Sequence, residues 1–165
     1  MRNILAAAAA VVLGAAAAVL LGAAAAAVVM GAAAAPPQKP EKQFLNPDGT
    51  PKPTGYTQVV TARPGRLVFV SGQGGSADGR MPADFSSQTE NTFRNIERCL
   101  SAAGAKFEDI VKMNYYVTDM ANTAELRRVR AKYLNQAAPP ASTLVQAGLG
   151  AGLLLEVEAI AVVAE

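Results

Sequence analysis

Two glutamates, Glu156 and Glu158, interrupt the apolar run from Leu155 to Val163 near the C-terminus. An ionised carboxylate inside an apolar strand is costly without a partner, so the pair requires a donor, a cation or a task. Spaced two apart, both fall on one face of a strand, where repulsion favours one of them holding a proton or finding a cation. Histidine is absent from all 165 residues. That removes the usual general base, the His-containing zinc sites and every Ser-His or Cys-His nucleophile pair. A carboxylate, an amine or bound water must carry any proton transfer. Cys99 is the single cysteine, so no intrachain disulfide forms, and its place in an amphipathic pattern reads as a buried, inert thiol. No motif calls for a metal or a cofactor.

The formal charge is +2, and without residues 1–35 the count is 14 Lys+Arg against 13 Asp+Glu, a net of +1. This balance gives no electrostatic basis for a nucleic-acid partner. The densest cationic run, Arg127-Arg128-Val129-Arg130-Ala131-Lys132, lies on a predicted helix and reads mostly as a solvated face.

The elements that must position these groups follow from composition and period. Residues 1–35 form an alanine-rich tract with no charge after Arg2, expected to be a cleaved export signal, with an uncleaved membrane anchor as the alternative. The protein is therefore expected in the periplasm or secreted. Residues 36–54, rich in proline, read as an extended linker, and residues 55–165 as one domain. Thr57–Ala62 and Arg66–Ser71, separated by Arg63-Pro64-Gly65, read as a β-hairpin. Gly72–Arg80 is a glycine-rich loop without the Lys-Ser/Thr of a phosphate loop.

Phe85, Phe93, Ile96, Leu100 and Ala103 recur at helical spacing, with Ser87-Gln88-Thr89-Glu90 as a possible capping box and Gly104 as the stop. Asp109–Thr118 alternates as a half-buried strand, and Ala121–Leu134 returns to helical spacing. Ser142–Leu149 and Leu153–Val163 read as two further strands. The order β-β-α-β-α-β-β implies an α+β sheet with both helices on one face.

In this order and spacing, several short runs resemble the Rid family (RidA or YjgF type), over roughly residues 44–163. They are Gly55-Tyr56-Thr57-Gln58, Leu67-Val68-Phe69-Val70-Ser71-Gly72-Gln73, Gln88-Thr89 with Asn95-Ile96, Asp109-Ile110-Val111-Lys112, Tyr116-Val117-Thr118-Asp119-Met120 and Glu156-Val157-Glu158-Ala159-Ile160-Ala161. The resemblance implies a chorismate-mutase-like fold whose subunits pack as a trimeric barrel, with a small-ligand cleft at each subunit interface. It also implies that Glu156 positions or activates water while Tyr56, Ser71 and Gly72 line the same pocket.

The family's deaminase motif, Pro-x-Arg-Ser/Thr, is met here by Pro139-Pro140-Ala141-Ser142, so Ala141 stands where an arginine would grip the substrate carboxylate and Ser142 follows it. Losing such a charge-assisted clamp costs about 1.5–3 kcal/mol. The same alignment places Arg127 where better-known members carry asparagine, a candidate replacement for the missing cation. Two functions are expected: an exported protein that binds, with or without hydrolysing, a small imine, enamine or carbonyl metabolite through Glu156 and water, or a non-catalytic ligand-binding trimer. A ribonuclease ranks last, because no histidine pair and no basic-aromatic surface supports it.

Overall fold

The computed structural model describes residues 41–63, 65–150 and 152–164. The expected leader, residues 1–35, and the first part of the linker lie outside the described residues. The elements are β1 (Lys42–Leu45), β2 (Val59–Ala62), β3 (Arg66–Gly74), α1 (Phe85–Ala102), β4 (Ile110–Val117), α2 (Thr123–Arg130), β5 (Ala141–Gln146) and β6 (Leu155–Val163). Short 3-10 turns at Phe107–Asp109 and Met120–Asn122 precede β4 and α2.

Four strands form a mixed sheet in the order β3-β6-β4-β5, with β6 antiparallel to both neighbours and β5 parallel to β4 across the α2 crossover. Alternation along each strand gives the sheet two unlike faces. Val68 and Val70 of β3, Met113, Tyr115 and Val117 of β4, and Leu155, Val157, Ala159 and Ala161 of β6 are buried. They form one cluster with Phe93, Ile96 and Leu100 of α1 and Leu126 and Val129 of α2, which places both helices on that face. The architecture is the expected α+β, chorismate-mutase-like fold. Lys112, Asn114, Tyr116, Glu156, Glu158 and Ile160 alternate onto the opposite face, where Phe69 is 70% exposed and Leu67 54%.

Three local expectations are corrected. β2 and β3 do not pair as a hairpin: β2 pairs with β1 in a separate two-stranded ribbon, and β3 pairs with β6. Strand partners are chosen by non-local packing, which a local turn signal such as Pro-Gly cannot report. Correspondingly, Lys42-Gln43-Phe44-Leu45, read as linker because of its polar and proline-rich surroundings, is a strand. Finally, the N-cap of α1 is Asp84, three residues before the first residue of the supposed capping box, its Oδ1 accepting from the Ser87 amide at 2.8 Å. The Thr89 and Thr92 hydroxyls, now inside the helix, donate to the carbonyls of Phe85 and Gln88.

α1 ends as expected at Gly104: the Ala105 amide reaches Leu100 O at 2.8 Å and the Gly104 amide reaches Ser101 O at 3.0 Å, the paired bonds of a Schellman cap. Phe93, fully buried, stacks on Tyr133 with centroids 4.9 Å apart and meets Phe107 at 6.1 Å, joining α1 to the segments beside β4 and after α2. Truncating it leaves an aromatic-sized void where three segments meet. Phe93→Ala is therefore expected to destabilise the protein by about 3–5 kcal/mol. Chemical denaturation followed by circular dichroism measures this, and a loss below about 1 kcal/mol would contradict the packing described.

Candidate functional site

The predicted site residues separate into two groups. The first lies on the open face of the sheet. The β3–β6 register shifts between Val70 and Gln73, so Ser71 and Gly72 occupy an irregularity opposite the carboxylate-bearing end of β6. There the Glu156 side chain rests on the Gly72 backbone, so closely that a Cβ on Gly72 would stand 1.8 Å from Glu156 Oε1. The expected union of Glu156 with Gly72 is thus present. Ser71 lines an adjoining cavity of about 250 Å³ together with Phe69, Lys112, Asn114, Glu158 and Ile160.

Within this cavity Glu158 has the donors that a carboxylate in an apolar strand requires. Its Oε1 accepts from Asn114 Nδ2 at 2.6 Å and from the Tyr116 hydroxyl at 2.9 Å. The bond from Asn114, then that from Tyr116, holds its carboxyl below the ordinary 4.5, with Lys112 adding attraction and burial opposing. Tyr116 responds in the opposite sense, its hydroxyl being pushed up by donating to a carboxylate. The repulsion expected between the two glutamates is therefore answered at Glu158 by neutral donors rather than by a proton. The available signal was register: Asn114 pairs with Glu158 and Tyr116 with Glu156 across β4 and β6.

The second group lies on the helix-covered side, beside β5. Tyr56, Arg127 and Ser142 line a cavity of about 410 Å³ with Gln58, Leu126 and Arg130. The resemblance implied that Tyr56 shares an intersubunit pocket with Ser71 and Gly72; within one subunit Tyr56 lines this second cavity, and the two cavities share no residue. The reason is topological. Ser142 pairs with Met113, whose side chain is in the core, whereas Asn114 one residue later faces the open side. Ala141 begins β5 opposite Lys112, bridges to Thr57, and does not line either cavity.

The cationic run on α2 also divides. Arg128 is the solvated arginine anticipated, bound to Glu125 at 2.6 Å and holding that carboxyl down to about 2. Lys132 and Tyr133 both bind Glu90 of α1. Arg130, not singled out from sequence, is only 8% exposed, with its guanidinium carbon 5.6 Å from the centre of the Tyr115 ring. Leu126, Val129 and Arg130 follow helical spacing on the buried stripe, and an arginine on an otherwise apolar stripe was the signal to read.

Comparison with known proteins places this geometry among relatives. A family model described as Endoribonuclease L-PSP matches residues 50–163. The putative reactive intermediate deaminase TdcF of Escherichia coli is 36% identical over 127 residues, which is 73% of this chain and 97% of that one. Among solved structures, YyfB of Yersinia pestis, a protein of unknown function from the conserved Rid family, matches with a TM-score of 0.63 at 30% identity, covering 74% of this chain and 98% of that one. RidA from an Antarctic Psychrobacter species matches with a TM-score of 0.57 at 32% identity, covering 73% of this chain and 99% of that one.

The Glu158 cluster gives a signed dependence on pH. Because its folded carboxyl titrates below the ordinary 4.5, its stabilisation is complete above that value and is lost as pH falls through the lower folded one. Asn114→Ala is expected to raise the Glu158 titration midpoint, seen by carboxyl-carbon NMR. It should also narrow the stability difference between about pH 7 and about pH 3. An unmoved midpoint would show that Asn114 does not hold the carboxylate.

Proposed function

Because the chain belongs to the Rid (YjgF) family, we propose that it binds a small imine, enamine or carbonyl metabolite in clefts that a second copy of the chain completes. The observation that carries this reading is the division of the site. Glu156, Ser71 and Gly72 lie on the open face, whereas Tyr56, Arg127 and Ser142 lie on the other side of the sheet. One subunit holds both halves but does not join them. The open face carries the exposed Phe69 and Leu67 beside the first group, so a surface suited to association adjoins the half-site needing a partner. A homotrimer is the assembly proposed.

In the hydrolytic form of this reading, Glu156 draws a proton from water as the oxygen attacks the C=N carbon, and the imine nitrogen is protonated. The resulting carbinolamine collapses to the carbonyl and ammonia, so that imine and water are consumed together. Gly72 leaves the space in which the carboxylate sits. Glu158, held by Asn114 and Tyr116, adds a fixed negative charge one strand-pleat away, favouring a proton on a nearby substrate nitrogen.

Ala141 supports a second reading, ligand binding without turnover, because the clamp for a 2-imino acid carboxylate is absent at that position. Arg127, lining the cavity of Tyr56 and Ser142, is the proposed substitute. Residues 1–35 support export, which would separate the protein from cytosolic sources of such imines.

Two measurements test this. Full-length protein assayed for 2-iminobutanoate hydrolysis is expected to be slow, and Ala141→Arg to raise the specificity constant by roughly tenfold to a hundredfold, with Glu156→Gln abolishing the gain. Fast wild-type turnover would overturn the altered-pocket reading. In analytical ultracentrifugation the wild type is expected at three times the monomer mass, while Phe69→Glu, placing a charge on the open face, shifts it toward monomer. A monomeric wild type would remove the intersubunit cleft.

A further inference from the structure

Arg130 is the only buried cationic side chain among the described residues. Its guanidinium lies against Gly55, a residue at φ +72° where a Cβ would come within 2.3 Å of Arg130 Nη2, so the loop before β2 is shaped to admit it. The adjoining cavity wall offers hydroxyls, amides and apolar groups from Tyr56, Gln58, Thr123, Leu126 and Ser142, but no acid. No carboxylate among the described residues stands within ion-pair distance of Arg130 or of Arg127. Tyr115 supplies no counter-charge either, since burial pushes its hydroxyl up to about 12 and keeps it protonated.

A guanidinium so shielded, with a second one turn away on the same helix and lining the same cavity, carries an electrostatic cost that the Tyr115 ring offsets only in part and that no carboxylate among the described residues relieves. Arg128, between them in sequence, shows the ordinary solution, an ion pair with Glu125. We propose that the cavity is a two-point anion site, in which Arg130 takes a carboxylate at the inner end and Arg127 a second anionic group at the mouth. The ligand class is then a compact dicarboxylate, whose two charges match the two guanidiniums. Arginine suits this task because its planar fork binds a carboxylate through two parallel hydrogen bonds. The inference rests on reading this cavity as a ligand half-site, and not on turnover at Glu156.

Calorimetric titration of the full-length protein with succinate, propionate and succinamide at low salt tests it. Succinate is expected to bind about tenfold or more tighter than propionate, and succinamide not measurably. Arg127→Met should bring succinate down to the propionate level, and Arg130→Met should abolish binding of both. If Arg130→Met does not fold by circular dichroism, Arg130→Lys, which keeps the charge and loses the fork, is expected to weaken succinate about tenfold. Retained succinate affinity in Glu156→Gln, even where that variant hydrolyses no imine, supports the site separately from the chemistry. Equal binding of succinamide and succinate, or wild-type succinate affinity in the Arg130 variants, would overturn it.

Discussion

The structure depends on one strand being asked to serve two surfaces. β6 lies between β3 and β4, so both of its edges are spent on backbone pairing and its side chains have only the two faces of the sheet available. Leu155, Val157, Ala159 and Ala161 anchor the core on one face, while Glu156, Glu158 and Ile160 stand on the other. A shift of one residue would drive the two carboxylates into the hydrophobic cluster, at a cost far above what any local contact returns. The register that builds the core is thereby the register that sets Glu156 over Gly72 and Glu158 beside Asn114 and Tyr116. Core and site are one constraint expressed on two faces.

The same logic governs the second half-site. α2 packs Leu126 and Val129 into the core, and this fixes the rotation at which Arg130 enters beside them and Arg127 reaches the cavity edge. Thr57 ties the preceding loop to the start of β5, its hydroxyl donating to Pro139 O at 2.6 Å and its amide to Pro140 O at 3.3 Å. That tie holds Tyr56 and Ser142 on one wall. The prolines before β5 have no amide to donate and contribute to this tie through their carbonyls.

Features set by local period were legible in the sequence. The spacing of Phe93, Ile96 and Leu100, the alternation of Met113, Tyr115 and Val117, and the Gly104 stop each depend on neighbours within a few residues, and each appears in the structure. Features set by distant pairing were not. Lys42–Leu45 carries no strong strand period and acquires its state from β2, while the Arg63-Pro64-Gly65 sequence signal could not announce that the strands on either side of it join different sheets. The candidate site divides along the same line. Glu156 and Gly72 were identified together, but the role of Glu158 required the register that opposes it to Asn114, and the separation of Tyr56 from Ser71 required knowing which face each strand end presents.

The division of the site bears on assembly through symmetry. A two-fold interface presents identical patches to each other, so it would bring open face to open face and leave the cavity beside β5 alone. Joining unlike surfaces, the Glu156 face of one copy to the Tyr56 and Arg127 wall of the next, demands a heterologous contact, and such a contact either closes into a ring or propagates without end. A closed ring satisfies every half-site with the same single interface and leaves no exposed Phe69 at a growing edge. Under that arrangement the negative charge of the open face would also complement the positive wall formed by α2, a long-range match that selects which surfaces face each other while the guanidiniums stay available to an anionic ligand.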